Sequence, residues 1–475
     1  MAVPRSVGTM SVRETDVVVI GAGPVGENVA DRVVRGGLRA VIVEAELVGG
    51  ECSYWACMPS KALLRTGAAH RAAQAAGVED GRVDRDVVLR RRDSFTSGWD
   101  DSGQVQWLQS AGIDLVRGHA RLAGERRVVV SGGDEEVEIV ARHAVVVTVG
   151  SAARLPGIPG LAEAEPWTSR EATALQTVPG SIAIIGGGVV ATEAATFLAD
   201  LGSRVTVLAR SGLLTAFEPV AGEQVAGALR ERGVDIREGI APARVTRDEA
   251  GVQIEFGDGE PLRVDEVLVA TGRVPRTEDL GLETVGLEPG EWIAVDDTLR
   301  VAGSDWLYAA GDVTHRALLT HQGKYQARAA GDVIVARATG GEVRDRPWGA
   351  HVATADHAAV PQVVFTDPEV AAVGLTAAQA QDAGMRVRVV DYDLGSVAGA
   401  SLTADGYAGA ARAVVDEDRR VLVGVTFVGA GVAELLHAAT IAVVGEVPLE
   451  RLWHAVPAYP TISEVWLRLL ETYGL

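Results

Sequence analysis

One pattern constrains this chain more than any other: a buried strand runs into a glycine-rich turn and then a helix, and the pattern occurs twice. Asp16-Val17-Val18-Val19-Ile20 is apolar on both faces, as a central parallel strand is. It leads into Gly21-Ala22-Gly23-Pro24-Val25-Gly26, a helix to about Gly36, and a second strand, Ala40-Val41-Ile42-Val43, that ends on Glu44. Gly21 allows the tight turn, Gly23 lets a pyrophosphate approach the backbone, and Gly26 lets the helix lie close to the sheet. The helix N-terminus then faces the phosphates, and Glu44, 18 residues past the last glycine, can accept from a ribose hydroxyl. This reads as a dinucleotide site.

The repeat is Ser181-Ile182-Ala183-Ile184-Ile185, then Gly186-Gly187-Gly188-Val189-Val190-Ala191, a helix to Gly202 and a strand from Arg204 to Leu208. Two such units imply two dinucleotides. The second departs from the first at two positions. Ala191 stands in place of the third glycine, and the strand ends on Ala209-Arg210, where an NAD site usually carries an acid. An arginine there can pair with a 2′-phosphate, which favours NADPH over NADH. As one more surface arginine in an arginine-rich chain, Arg210 leaves NADH open.

At 475 residues the chain is too long for one core, and with 47% apolar and 23% charged residues it is globular. Asp plus Glu number 64 against 44 for Lys plus Arg, a net charge of -20. Such a chain repels phosphate backbones, so nucleic acid is not expected as a partner. The densest basic run, Arg90-Arg91-Arg92, reads as a solvated helix face. No apolar run approaches the ~20 residues that span a bilayer, and Met1 to Glu14 has no apolar signal region. A soluble, cytoplasmic protein without membrane contact is expected.

Three further segments end strands on small residues: Val145 to Gly150, Val267 to Gly272, and Leu307 to Asp312. A helix is predicted from about Leu319, so Asp312 lies at a strand C-terminus, where ligands bind in open parallel sheets. From about Trp348 the character changes. Val360 to Phe365, Val387 to Tyr392 and Val421 to Val428 predict strands of a separate antiparallel α/β unit.

Cysteine and lysine are both scarce. The cysteines are Cys52 and Cys57, and of 44 basic residues only Lys61 and Lys324 are lysines. In such a chain a lysine marks a place where a guanidinium will not serve. Lys61 closes the segment Gly49-Gly50-Glu51-Cys52-Ser53-Tyr54-Trp55-Ala56-Cys57-Met58-Pro59-Ser60-Lys61, which reads as a helix start. On an ideal helix, residues five apart have Cα atoms roughly 8–9 Å apart, whereas a disulfide needs about 4.4–6.8 Å. A bridge here requires a distorted helix, and strain would make it easily reduced. A helix N-terminus and a nearby lysine also favour the thiolate. Two incidental thiols in a reducing cytosol are the plain alternative. A zinc site is less expected still, because two cysteines without paired histidines cannot complete four ligands, and no metal is expected. Tyr54 and Trp55 either line a pocket for a flat acceptor or pack inside the helix.

With these segments the chain resembles the two-dinucleotide-domain flavoprotein disulfide reductases, which include dihydrolipoamide dehydrogenase, glutathione reductase, mercuric reductase and the soluble transhydrogenase. The resemblance runs from about Glu14 to Glu471. It rests on the cysteine segment, on the strand ending Gly311-Asp312, and on Val363, Phe365, Thr366, Pro368 and Glu369 with Gly374-Leu375-Thr376, similar to the start of the family's dimerisation domain. It implies an α/β fold with two Rossmann-type domains and a C-terminal α/β dimerisation domain. The implied order is a tail (1–13), an FAD-binding part (14–150), an NAD(P)-binding domain (151–275), a second FAD-binding or central part (276–347) and the dimerisation domain (348–475). FAD is implied in the first site, near Gly21, Gly23, Gly26, Glu44, Gly50, Lys61, Ala120, Gly150 and Thr320, with Asp312 on the ribityl chain. NAD(P)H is implied in the second, near Gly186, Gly188, Ala191, Arg210, Val245 and Gly272. Cys57 would face the flavin, Cys52 would exchange with substrate, and Lys61 would pair with Glu193. The tyrosine often found over the nicotinamide pocket is Val189 here, so gating by that side chain is lost.

The family's C-terminal motif reads His-Pro-Thr-x-Ser-Glu, and its histidine serves as acid and base across a homodimer interface. This chain has Tyr459-Pro460-Thr461-Ile462-Ser463-Glu464. A phenol of pKa about 10 donates a hydrogen bond but shuttles protons poorly at neutral pH, where an imidazole at about 6.5 is well matched. Mercuric reductase and the soluble transhydrogenase resemble this chain in having tyrosine there. Tyr459 and Glu464 take the motif's catalytic positions, with a satisfied structural carboxylate as the alternative for Glu464. His454, separated from Tyr459 by Pro457, reads as a helix-end or interface histidine. No second cysteine pair lies near Leu475, which disfavours mercury reduction, and the transhydrogenase usually lacks one of the paired cysteines present here. The expected activity takes electrons from NAD(P)H through flavin and the Cys52–Cys57 disulfide to a disulfide, quinone or other small acceptor. The alternatives are a quinone reductase, diaphorase or transhydrogenase that does not need the disulfide, and a redox-state binding module with negligible turnover.

Overall fold

The computed structural model describes residues 11–78, 81–132 and 136–475. Most of the expected tail, up to Met10, lies outside the described residues, and Ser11 already opens the first strand. Two bodies divide the chain: Met1–Tyr54 with Thr96–Ala152 and Arg273–Asp356, and Trp55–Phe95 with Ala153–Gly272 and His357–Leu475.

In the first body, strand Ser11–Ile20 lies between Ala40–Glu44 and Val137–Val147, all parallel. Asp114–Arg117 extends the sheet beyond Ala40–Glu44, and Leu307–Ala309 pairs with the end of Val137–Val147. Arg127–Ser131 and His119–Leu122 add an antiparallel edge. Val17 and Val19 face one core with Val29, Val33 and Ile42, whereas Val18 and Ile20 face another with Val41, Val145 and Val147. Burial on both faces explains the unbroken Val/Ile run, since a half-exposed strand would alternate. The register pairs Ile20 with Val43 and with Val147, and Val147 with Ala309. These strands therefore end along one edge, and Gly21, Glu44, Gly150 and Asp312 follow there. Helix α1 (Pro24–Arg35) starts at that edge because Gly23 is extended and Pro24, which has no N–H to satisfy, takes the first helical position.

The second body repeats the plan with parallel strands in the order Asp235–Glu238, Arg204–Ala209, Ser181–Ile185, Glu266–Val269. Its C-terminal sheet runs Pro361–Val364, Glu369–Gly374, Val421–Gly429, Ala410–Asp416, Val387–Asp393, antiparallel throughout as the sequence predicts. The cysteine segment forms two helices, α2 (Gly50–Tyr54) in the first body and α3 (Cys57–Ala75) in the second. Leu63 and Leu64 of α3 share a core with Ala194, Ala195 and Leu198 of the helix Val189–Asp200 and with Val364, Val370 and Val428 of the C-terminal sheet. No helix among the described residues is long and apolar enough to cross a membrane.

The run Arg90-Arg91-Arg92 is not a uniform solvated face. Arg92 is fully buried in the helix Arg85–Phe95 and donates to the carbonyls of Thr173 and Leu175. Helical periodicity places it four residues after the buried Val88, on the inward face, while Arg90 and Arg91 stay outside.

Candidate functional site

Cys52 and Cys57 do not share a helix. α2 ends at Tyr54, α3 begins at Cys57, and Ala56 between them has φ −138° and ψ −98°. Pro59 supplies the reason. A proline ring clashes with the carbonyl four residues back, here Trp55, but is tolerated in the first turn of a new helix. The stranded Trp55 carbonyl accepts from the Thr173 hydroxyl at 2.9 Å. The distortion expected from spacing is thus a complete break. It puts Cys57 at the first position of a 19-residue helix, at the positive end of its dipole. Both cysteines are half-buried. Tyr54 is only 1% exposed, which removes it from any acceptor pocket, while Trp55 carries the Arg170 guanidinium 3.8 Å from its ring centroid.

Lys61 lies one helical turn beyond Cys57. Its Nζ donates to Glu193 Oε2 at 2.7 Å and sits 5.1 Å from the Phe365 ring centroid. Glu193, on the helix Val189–Asp200, is nearly buried, and its other oxygen accepts from the Phe365 N–H at 3.0 Å. Both carboxylate oxygens are bonded, as a buried charge requires. A second group of charges ties the same elements farther along: Arg71 of α3 bridges Asp200 and Asp367, and Arg232 meets Asp367 at 3.2 Å.

At the sheet edge of the first body the glycines let backbone segments pack close together and leave Gly23 and Gly150 uncovered. A Cβ on Gly26 would lie 1.9 Å from the Gly21 carbonyl oxygen, and one on Gly50 would lie 2.8 Å from Gly23 Cα. A Cβ on Gly23 would meet nothing nearer than Gly50 Cα at 4.0 Å, and Gly150 faces open space. Glu44 accepts from the Ala22 N–H at 2.7 Å and the Glu46 N–H at 2.8 Å, which fixes the carboxylate and leaves lone pairs for a ribose hydroxyl. Asp312 accepts from the Ser151 hydroxyl at 2.6 Å; burial raises its pKa, while that bond and the Arg273 charge oppose the rise. This cradle fits a dinucleotide such as FAD. Ala120 is buried within strand His119–Leu122, and Thr320 opens the helix Thr320–Thr339.

The sequence reading passed over Glu27, the residue after Gly26. Its Oε1 is buried without a partner among the described residues. Burial pushes its pKa from the ordinary 4.5 up to about 7, opposed by Lys324 and aided by Glu44. The scarcity of lysine was the available signal, since both lysines act on a glutamate in the helix after a glycine-rich turn. A raised carboxyl pKa means that the folded state keeps a proton that the unfolded chain releases. Glu27 therefore lowers stability as pH rises from 4.5 to about 7. Glu27→Gln is expected to exceed the wild type in stability above that range by up to about 3 kcal/mol. The gap should close in acid, and urea midpoints measured against pH check both ends.

In the second body a Cβ on Gly186 would meet the Ala270 oxygen at 2.2 Å, whereas Gly188 and Gly272 face open space. Ala191 is fully buried in the core. Arg210 is exposed at its strand end and makes no ion pair among the described residues. The Val245 side chain is buried and its N–H donates to the Pro159 carbonyl.

Near the C-terminus Tyr459 is 77% exposed and His454 is also at the surface. Glu464 is buried, and its Oε2 has no partner among the described residues. Its other oxygen, Oε1, stands 3.9 Å from Arg468 Nη2. Sequence reasoning also missed Glu51, Ser151, Arg273 and Arg276, which bond to one another in the first body.

Residues 15–340 match the pyridine nucleotide-disulphide oxidoreductase family, and residues 360–469 match its dimerisation domain. The chain is 33% identical over 476 residues to a dihydrolipoyl dehydrogenase of Halobacterium salinarum, with 96% of each covered. It is 32% identical over 475 residues to a mercuric reductase of Shigella flexneri, with 96% of this chain and 80% of that one covered. Among solved structures, the HOCl-induced flavoprotein disulfide reductase RclA of Escherichia coli aligns with a TM-score of 0.81 at 26% identity, over 96% of this chain and 99% of that one.

Proposed function

The chain belongs to the pyridine nucleotide-disulphide oxidoreductase family and is an FAD-dependent NAD(P)H oxidoreductase, and from that premise we propose that it takes electrons from NADPH and passes them through Cys57 and Cys52 to a small oxidised acceptor. The chemistry that bound FAD would supply is two-electron transfer between a nicotinamide and the cysteine pair. The Gly21–Gly26 turn and Glu44 would hold its adenosine end and Asp312 its ribityl chain, while the Gly186–Gly188 turn and Arg210 would hold NADPH. Two electrons and two protons open the disulfide to two thiols. The Cys52 thiolate then attacks an acceptor disulfide and releases one thiol. Cys57 displaces the second and re-forms the bridge.

The observation that carries this reading is the line Cys57, Lys61, Glu193: a thiol at a helix head, an ammonium one turn on, and a bonded carboxylate holding that ammonium. The unpaired Arg210 supports NADPH, and the match of residues 360–469 supports a homodimer. Anaerobic titration of the holoenzyme with NADPH is expected to consume two equivalents and to produce a long-wavelength absorption band after the first. One equivalent and no band would overturn the thiol relay. A screen of lipoamide, glutathione disulfide and quinones with each nicotinamide assigns the acceptor.

A second reading, in which a quinone or another nicotinamide is the acceptor and the disulfide is idle, draws on Tyr459. Tyr459→His is expected to raise disulfide reduction about 10²-fold and to leave quinone reduction unchanged. No gain would remove this position as a determinant of the acceptor.

A further inference from the structure

α2 is five residues long, far too short to persist by its own hydrogen bonds. It is pinned at both ends. At its end Tyr54 is buried, and the Tyr54 carbonyl accepts from Trp99 Nε1 at 3.2 Å. At its start Glu51 is gripped by two arginines: Arg273 donates to Oε2 at 2.6 Å and Arg276 to Oε1 at 2.7 Å. Both arginines also donate to the Ser151 carbonyl, at 2.8 and 3.0 Å. Arg273 Nε donates to the Ser151 hydroxyl, which donates in turn to Asp312. Cys52 lies between the two anchors.

From this geometry we infer that Glu51, Arg273, Arg276 and Ser151 form a charged relay that positions the Cys52 turn against the Asp312 strand end and sets the electrostatic balance at the flavin. The inference rests on FAD binding in the first body with Asp312 beside it, as proposed above. Glu51 and Arg273 are positioning residues that act through Cys52 and Asp312. At Asp312 burial raises the carboxyl pKa most, the Ser151 bond and the Arg273 charge oppose the rise, and the Glu51 charge adds to it. Arg273 Nε already stands 3.7 Å from Asp312 Oδ2, so loss of Glu51 lets it turn fully to that carboxylate. Charge-assisted bonds of this kind carry both energy and direction.

The test is the midpoint potential of the bound flavin, measured on holoenzyme by equilibration with reference dyes. Glu51→Gln removes a negative charge and is expected to raise the potential; Arg273→Met removes a positive charge and is expected to lower it. The double variant should return towards the wild type, and Glu51→Asp should stay close to it. Arg276→Met carries the same expected sign as Arg273→Met and replaces it if that variant does not hold flavin. Shifts of the same sign in Glu51→Gln and the arginine variant, or no shift in either, would overturn the relay. Failure of the wild type to bind FAD would instead overturn the cofactor reading itself.

Discussion

Cys57→Ser is expected to cut turnover with every disulfide acceptor at least about 10³-fold, roughly 4 kcal/mol of barrier, while flavin stays bound. The thiolate is the group that exchanges electrons with a disulfide, and a serine hydroxyl cannot form or open the bridge. The fold should tolerate the change, because Cys57 is half-buried at the start of α3 and serine is small and polar. Three readouts separate the outcomes. NADPH consumption should fall from two equivalents to one, the long-wavelength band should vanish, and disulfide turnover should collapse. Quinone turnover that survives intact would assign quinones to a route around the thiols. Disulfide turnover that survives would overturn the relay.

Arg71→Met is expected to destabilise the second body by about 3–5 kcal/mol, because it strands two carboxylates around one vacated position. Arg71 bridges Asp200 and Asp367, and burial already raises the Asp200 pKa against the pull of Arg71. Arg232, which stays, meets Asp367 but is itself largely withdrawn from water. Such a loss is a large share of the roughly 5–15 kcal/mol that holds a domain together. The sign with pH follows from Asp200. A carboxyl with a raised folded pKa takes up a proton in the folded state, so acid relieves the strain and the gap to the wild type should narrow as pH falls. Asp200→Asn added to Arg71→Met should recover part of the loss, which urea unfolding measures as a double-mutant cycle. Full additivity would show that the charges do not act as a unit.

Much of the frame was legible beforehand. The strands that lead into Gly21 and end on Glu44 were readable because buried parallel strands need unbroken Val/Ile runs and tight turns need glycine, and Asp312 was placed by the small residues that end its strand. The break between the cysteines was half legible. Spacing demanded a distortion, but its cause, Pro59 four residues beyond Trp55, went unread although it follows from proline chemistry alone. Arg92 was misread because a run of three arginines hides the helical period that turns one of them inward beside Val88. Glu27 and Glu51 were missed because each stands beside a motif residue and looks like a spacer.

By itself, the sequence determined what depends on near neighbours: the glycine turns, the restart of the helix at Cys57, the cysteine and lysine inventory, and tyrosine in place of histidine at position 459. Tertiary structure decided which charges meet. Glu51 finds Arg273 at a separation of 222 residues, and Arg71 finds Asp367 at 296. With 64 acids and 44 basic residues, a chain offers thousands of possible pairs, and Coulomb attraction leaves no mark in the order of residues. It depends on distance through space, which only the folded chain sets.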